Sequence, residues 1–168
     1  MTVPASLTLN DREQRIADWG ETNEPAIYQN AALHKFPLPI RKLRIRDAWD
    51  FQQFKVPLKD GDQLTGHSQQ GVEILIEGQV ALQDGAAKLT EGEMFAEIES
   101  LRTVLDAGSS SGKYELFLFH DTVTPYYRKF KSCATRQLEI NLANRDLFSY
   151  SVLIHAEDPV IYTTAPGL

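Results

Sequence analysis

Between Val72 and Leu82, Val72, Ile74, Ile76, Val80 and Leu82 fall on one side of an extended segment and Glu73, Glu77 and Gln79 on the other. This is the two-residue period of a strand with one buried face. Gly78 interrupts the row, which predicts a bulge or a close backbone approach. Leu43 and Ile45 alternate in the same way with Lys42, Arg44 and Arg46, and lead towards Trp49 and Phe51. Tyr114, Leu116 and Leu118 lie opposite Phe117 and Phe119, as in a strand covered on both sides. Leu138, Ile140 and Leu142 against Glu139 and Asn141 predict another strand. Phe148, Tyr150, Val152 and Ile154 against Ser149, Ser151 and His155 predict the last, stopped by Asp158-Pro159.

One stretch has a different period. Thr90 followed by Glu93 forms a capping box, and Met94, Ile98, Leu101 and Leu105 then recur at helical spacing, predicting a helix over about 91–106. Gly108 and the run Ser109-Ser110-Ser111-Gly112 end it. Five or six strands and one helix give a mainly β (α+β) class: an antiparallel β-sandwich or partial barrel with one flanking helix. Residues 1–40 carry Pro4, Pro25, Pro37 and Pro39 without a sustained period and are expected to form an N-terminal arm. A short helix starting at Asn10, with Glu13 as its capping partner and Ile16 and Trp19 on one side, is expected inside that arm. The division is then an arm at 1–40, a β-sandwich domain at 41–160 and a C-terminal tail at 161–168. Asp60-Gly61 predicts a turn, within a long polar loop from Asp60 to Gly71.

Composition narrows the function more than the fold. The chain has 168 residues, enough for one core, and is 42% apolar and 24% charged, as an ordinary globular domain is. A net charge of −6 offers no overall attraction to phosphate backbones or anionic headgroups, so nucleic acid and membrane are not expected as partners. The single cysteine, Cys133, forms no disulfide within the chain and no cysteine-based zinc cluster. The N-terminus lacks the apolar stretch of a signal peptide, and a soluble product made in the cytoplasm is expected.

Candidate chemistry is sparse. Gly108 to Lys113 resembles a phosphate loop but has three residues between its glycines rather than four and Tyr114 after the lysine, so a plain connector is the better reading. His34, His67, His120 and His155 have no metal-site spacing, and Asp60, Asp62 and His67 read as turn residues rather than cation ligands. His155 beside Glu157 and Asp158 reads as a solvated strand end. Cys133 has basic neighbours in Lys129, Lys131 and Arg136, which lower a thiol pKa, but no partnered histidine is marked, and a structural thiol is expected. Glu73 and Glu77 share a strand face without a cleft. Tyr126, Tyr127, Arg128, Lys129, Phe130 and Lys131 have a base-stacking composition, yet in a strand they split into an aromatic core side and a basic outer side suited to subunit contacts. No catalytic, cofactor-binding or metal-binding set is predicted, and no cofactor. Trp49, Tyr126 and Tyr127 form the platform of an alternative reading, a small ligand- or carbohydrate-binding module.

Taken in order, GVEILIEGQVAL, the helix EGEMFAEIESLRTVLDAG, YELFLF, YYRKFKSCATRQLEINL and LFSYSVLIHAEDPVIYT, with its Ala156-Glu157-Asp158-Pro159 ending, resemble the N-terminal domain of phage distal tail proteins and related siphovirus-type tail components over roughly residues 40–165. The resemblance implies a β-sandwich with a flanking helix and no enzymatic activity. It also implies a homo-oligomeric ring, commonly of six subunits, joining tail tube to tail tip in the virion, with other tail proteins as further partners. The segment 60–71 looks like the extended hairpin of related tube folds. The chain stops soon after Asp158-Pro159, so the galectin-like second domain of many distal tail proteins is not expected, nor the carbohydrate binding that goes with it. A tail tube subunit or a domesticated prophage product is the alternative within the family.

Overall fold

The computed structural model describes residues 25–37, 40–55, 62–80, 89–106, 112–121, 126–144 and 146–168. The helical turn expected at Asn10, the Asp60-Gly61 turn and most of the serine run lie outside the described residues. Strands β1 (Ala26–Gln29), β2 (Ala32–Lys35), β3 (Ile40–Arg46), β4 (Trp49–Lys55), β5 (Asp62–Gln69) and β6 (Val72–Val80) precede helix α1 (Glu91–Leu105). Strands β7 (Tyr114–Asp121), β8 (Tyr126–Asn144) and β9 (Leu147–Ala156) follow it. Seven strands form an antiparallel sheet in the order β2-β1-β7-β8-β9-β6-β3, and β4 and β5 form a separate hairpin.

The long strand β8 turns this sheet into a sandwich. Its first part pairs with β7 from Tyr126 to Cys133, and its second pairs with β9 from Cys133 to Asn144. Register shifts flank the change, and Ser132 sits there at a positive φ of 54°. A strand that bends at such a bulge leaves one layer and enters another. The layers are therefore β2-β1-β7 with the start of β8, and the rest of β8 with β9-β6-β3. Chain connectivity requires that they face each other. The edge strands β2 and β3 are joined by residues 36–39, and those five steps span at most about 18 Å. A flat seven-stranded sheet would hold its edges about 29 Å apart. Between the layers Phe36 stacks on Tyr150 with ring centres 6.5 Å apart, and the Tyr150 hydroxyl donates to the Pro37 carbonyl at 2.6 Å.

The core follows the alternation. Every second residue of β6 and of β9 is buried, and Ile74, Ile76, Phe148, Val152 and Ile154 meet Leu116 and Phe130 there. Helix α1 adds Met94, Ile98, Leu101 and Leu105, the stripe expected of it. Its start is the expected capping box: Glu93 N–H donates to the Thr90 hydroxyl, and the Glu93 carboxylate accepts from Thr90 N–H at 2.6 Å. Those bonds hold the Glu93 carboxyl below its ordinary range, with the Thr90 backbone donor the larger cause. Gly78 fulfils the close-approach expectation, because the Tyr150 ring lies where a Cβ would stand. The bulge is on the partner strand, between Ile40 and Lys42.

Three expectations are corrected. Residues 26–36 are not part of an arm: β1 pairs with β7, and Ala26, Ile27 and Phe36 are buried. Each strand there has only four residues, too few for a visible period, around a turn at Asn30 and Ala31 with positive φ. The polar segment after Gly61 is a strand rather than a loop, since β5 pairs with β4 from Asp62 to Gln69. The polar sequence hid it: Gly66, Ser68 and Gln69, the residues of β5 whose burial is described, are exposed, and a strand shows apolar alternation only where one face is buried. Finally, residues 161–168 are folded onto the sheet, as described below.

Candidate assembly surface

The layer of β3, β6, β9 and part of β8 has two free edges among the described residues. Strand β3 ends the strand order. Strand β8 beyond Cys133 has lost β7, so its residues 137–144 are paired on the β9 side alone. Unpaired strand edges are templates for another chain. The side chains at the two edges complement each other. On β3, Lys42, Arg44 and Arg46 lie on the outer face, while Leu43 and Ile45 remain 41% and 38% exposed although they pair with the buried Ile76 and Ile74. On β8, Leu138 and Ile140 are partly buried against the core, Leu142 is exposed, and Glu139 is an exposed acid. Just past β3, Trp49 and Phe51 stand 50% and 45% exposed on the hairpin. Leu43 and Ile45, apolar and half exposed at an unpaired strand edge, mark a surface suited to a partner.

The outer face of this layer carries ion pairs around the paired Leu75 and Leu153. Glu73 pairs with Arg136 at 3.0 Å and Glu77 with Lys42 at 2.9 Å, so each carboxylate is bound to a cation across strands and the two do not form an acid–base couple. Arg41 donates to Gln79 at 2.6 Å.

The structure does not gather the other residues weighed from the sequence. Cys133 is fully buried, and burial pushes its thiol up to about 12, the opposite of an activated nucleophile. Its basic neighbours are engaged elsewhere: Arg136 with Glu73, Lys129 with Glu115 at 2.9 Å, and Lys131 over the Tyr162 ring. His155 lies on the outer face with Nδ1 buried and unpartnered, whereas Glu157 pairs with Lys113 at 2.7 Å and Asp158 accepts from the Tyr162 hydroxyl at 2.6 Å. His34 is half-buried on β2, far along the sheet order from His155 on β9. The side chains of His67, His120 and Tyr126 lie outside the described residues, as do Asp60 and the Asp62 side chain. Among the described residues no group of three His, Cys, Asp or Glu is placed to hold a metal. Tyr127 is turned edge-on to Phe117, 6.1 Å between centres, and Trp49 lies on the separate β4–β5 hairpin.

Sequence reasoning missed the C-terminal segment. Tyr162 exchanges both backbone hydrogen bonds with Lys129, at 2.9 and 2.8 Å, along the β8 edge that β9 leaves behind. Lys129 was expected on a basic outer side, and it is on the outer face but fully buried beneath this segment. Its ammonium donates to Glu115, to the Ala165 carbonyl at 2.7 Å and to the Leu168 main-chain oxygen at 3.0 Å. The register that sets Lys129 opposite the apolar Phe117 is a property of the fold, so the sequence carried no signal for it.

No family model matches the sequence, and no curated protein does either. Among solved structures, the Dit protein of phage SPP1, described as a paradigm of the hub adsorption apparatus in phages that infect Gram-positive bacteria, matches with a TM-score of 0.59 at 15% identity, over 83% of this chain and 52% of that one. The SPP1 tail tube structure matches with a TM-score of 0.52 at 12% identity, over 86% of this chain and 78% of that one. The chain thus spans about half the length of the Dit structure. Its mainly β, α+β architecture is the fold shared by a phage tail hub protein and a tail tube protein.

Proposed function

We propose that the chain is a structural tail component of a phage or prophage that assembles with copies of itself into a closed ring. In this reading it is distal-tail-like, joins tube to tip in the virion tail, contacts other tail proteins, and has no catalytic role. The observation that carries the reading is the pair of free edges on one four-stranded layer. Strands β8, β9, β6 and β3 alternate in direction, so β3 of one copy meets β8 of the next antiparallel. A rotation that repeats this contact closes a barrel from which edges vanish, a heterologous ring contact made by strand addition. Leu43 and Ile45 then cover Leu138, Ile140 and Leu142, and the basic row at Lys42, Arg44 and Arg46 faces Glu139. Six copies is the number implied by the tail-protein resemblance, and the tube subunit is the other position in a tail that this fold serves.

Engineered cysteine pairs test it. One cysteine replaces Arg44 and a second replaces Gln137, Glu139 or Asn141 in turn, with Cys133 too buried to interfere. One of the three pairs is expected to give an oxidised ladder of whole multiples of the chain that ends at the ring number. Crosslinking in none of the three would overturn the β3–β8 contact.

A further inference from the structure

We propose that residues 157–168 form a releasable strap that guards a third strand edge, latched by Lys129 and Glu115. The first part of β8 is paired with β7 on one side, and β9 has ended before reaching its other side. That backbone would lie open as a strand-addition template, but the segment after Ala156 occupies it, with Glu157 N–H on the Ser132 carbonyl and Tyr162 bonded both ways to Lys129. The strap then crosses the outer face over β8 and β7 to β1, where Gly167 lies against the Tyr28 ring.

Its attachment differs in kind from that of a core strand. It has one isolated backbone bridge instead of a ladder, and its own large apolar side chains, Val160, Ile161 and Leu168, are exposed rather than buried beneath it. What holds its far end is polar. The Lys129 ammonium has three donors and finds three oxygens, one from Glu115 and two from the main chain of the strap. The same Glu115 oxygen accepts Gly167 N–H at 3.1 Å, so a single carboxylate ties β7 to both bolt and strap. A buried ammonium is tolerated only while its partners are complete. In the closed state Lys129 is dry and satisfied, and in the open state it is hydrated and the β8 edge is bare. Two arrangements of one element, each with its charge satisfied, by protein oxygens in one and by water in the other, make a switch. The device rests on contacts outside the β3–β8 surface, so it stands or falls apart from the ring reading.

Hydrogen exchange on the full chain, followed by mass spectrometry, tests the latch. In Glu115→Gln, amides of residues 157–168 are expected to exchange at least about tenfold faster, matching the loss of one charged hydrogen bond, while β9 from Leu147 to Ala156 keeps its protection. Lys129→Met, which fills the site without charge, is expected to loosen the same amides and not β9. Unchanged strap exchange in both variants, or loss of protection in strap and β9 together, would overturn the proposal.

Discussion

At the residue scale, two positions report the packing directly. Gly78 admits no Cβ because the Tyr150 ring occupies that space, and Tyr150 is also the residue whose hydroxyl ties the two layers together at Pro37. Gly78→Ala should therefore displace the ring and cost about 1–3 kcal/mol of stability, read as a lower denaturant midpoint. Cys133 reports the core between the layers. Its thiol, raised by burial from about 9.0 to about 12, stays protonated in the folded chain where the unfolded chain ionises. Its contribution to stability is fully present below pH 9 and is lost as pH rises towards 12. The folded protein should resist a thiol reagent at pH 8 and react on denaturation, and Cys133→Ala should flatten the decline in stability between pH 9 and 10. Above pH 10 Tyr114, whose hydroxyl burial also raises, adds its own decline. Gly78 was legible in the sequence as a gap in an apolar row. The role of Lys129 was not, because a lysine flanked by aromatics reads as an outer face until the covering segment is placed.

At the scale of elements, what could be read depended on whether an element has a buried face of its own. Helix α1 and strands β6 and β9 bury one face against a single core, so their periods appeared in the chain with their caps and stops. Strands β1 and β2 are too short to show a period, and β5 belongs to a separate two-stranded sheet with a polar sequence. Strand β3 was legible as a strand, yet its apolar side is left half open, and that mismatch between pattern and burial is what marks the candidate surface. Leu43→Lys tests this element. Because Leu43 is only part covered, at 41% exposure, the folded monomer should lose no more than about 1–2 kcal/mol while self-association is lost. A large fall in melting temperature would instead make Leu43 a core residue.

For the whole molecule, a bent β8 makes one chain into two layers, and the bend that lets β7 pair with one half of the strand strips the other half of a neighbour. The sandwich and the open edge are thus consequences of the same bulge at Ser132. That link was not available from periodicity, since β8 reads as two segments in the sequence and as one strand of 19 residues in the fold. The central claim is that the two edges of one layer close on each other between copies. Mass in solution, measured by light scattering across a concentration series, tests it most directly. The account predicts a closed multiple of the 18.9 kDa chain that persists on dilution and collapses to single chains in Leu43→Lys. A strict 18.9 kDa species at every concentration, or an open series of growing aggregates, would contradict it.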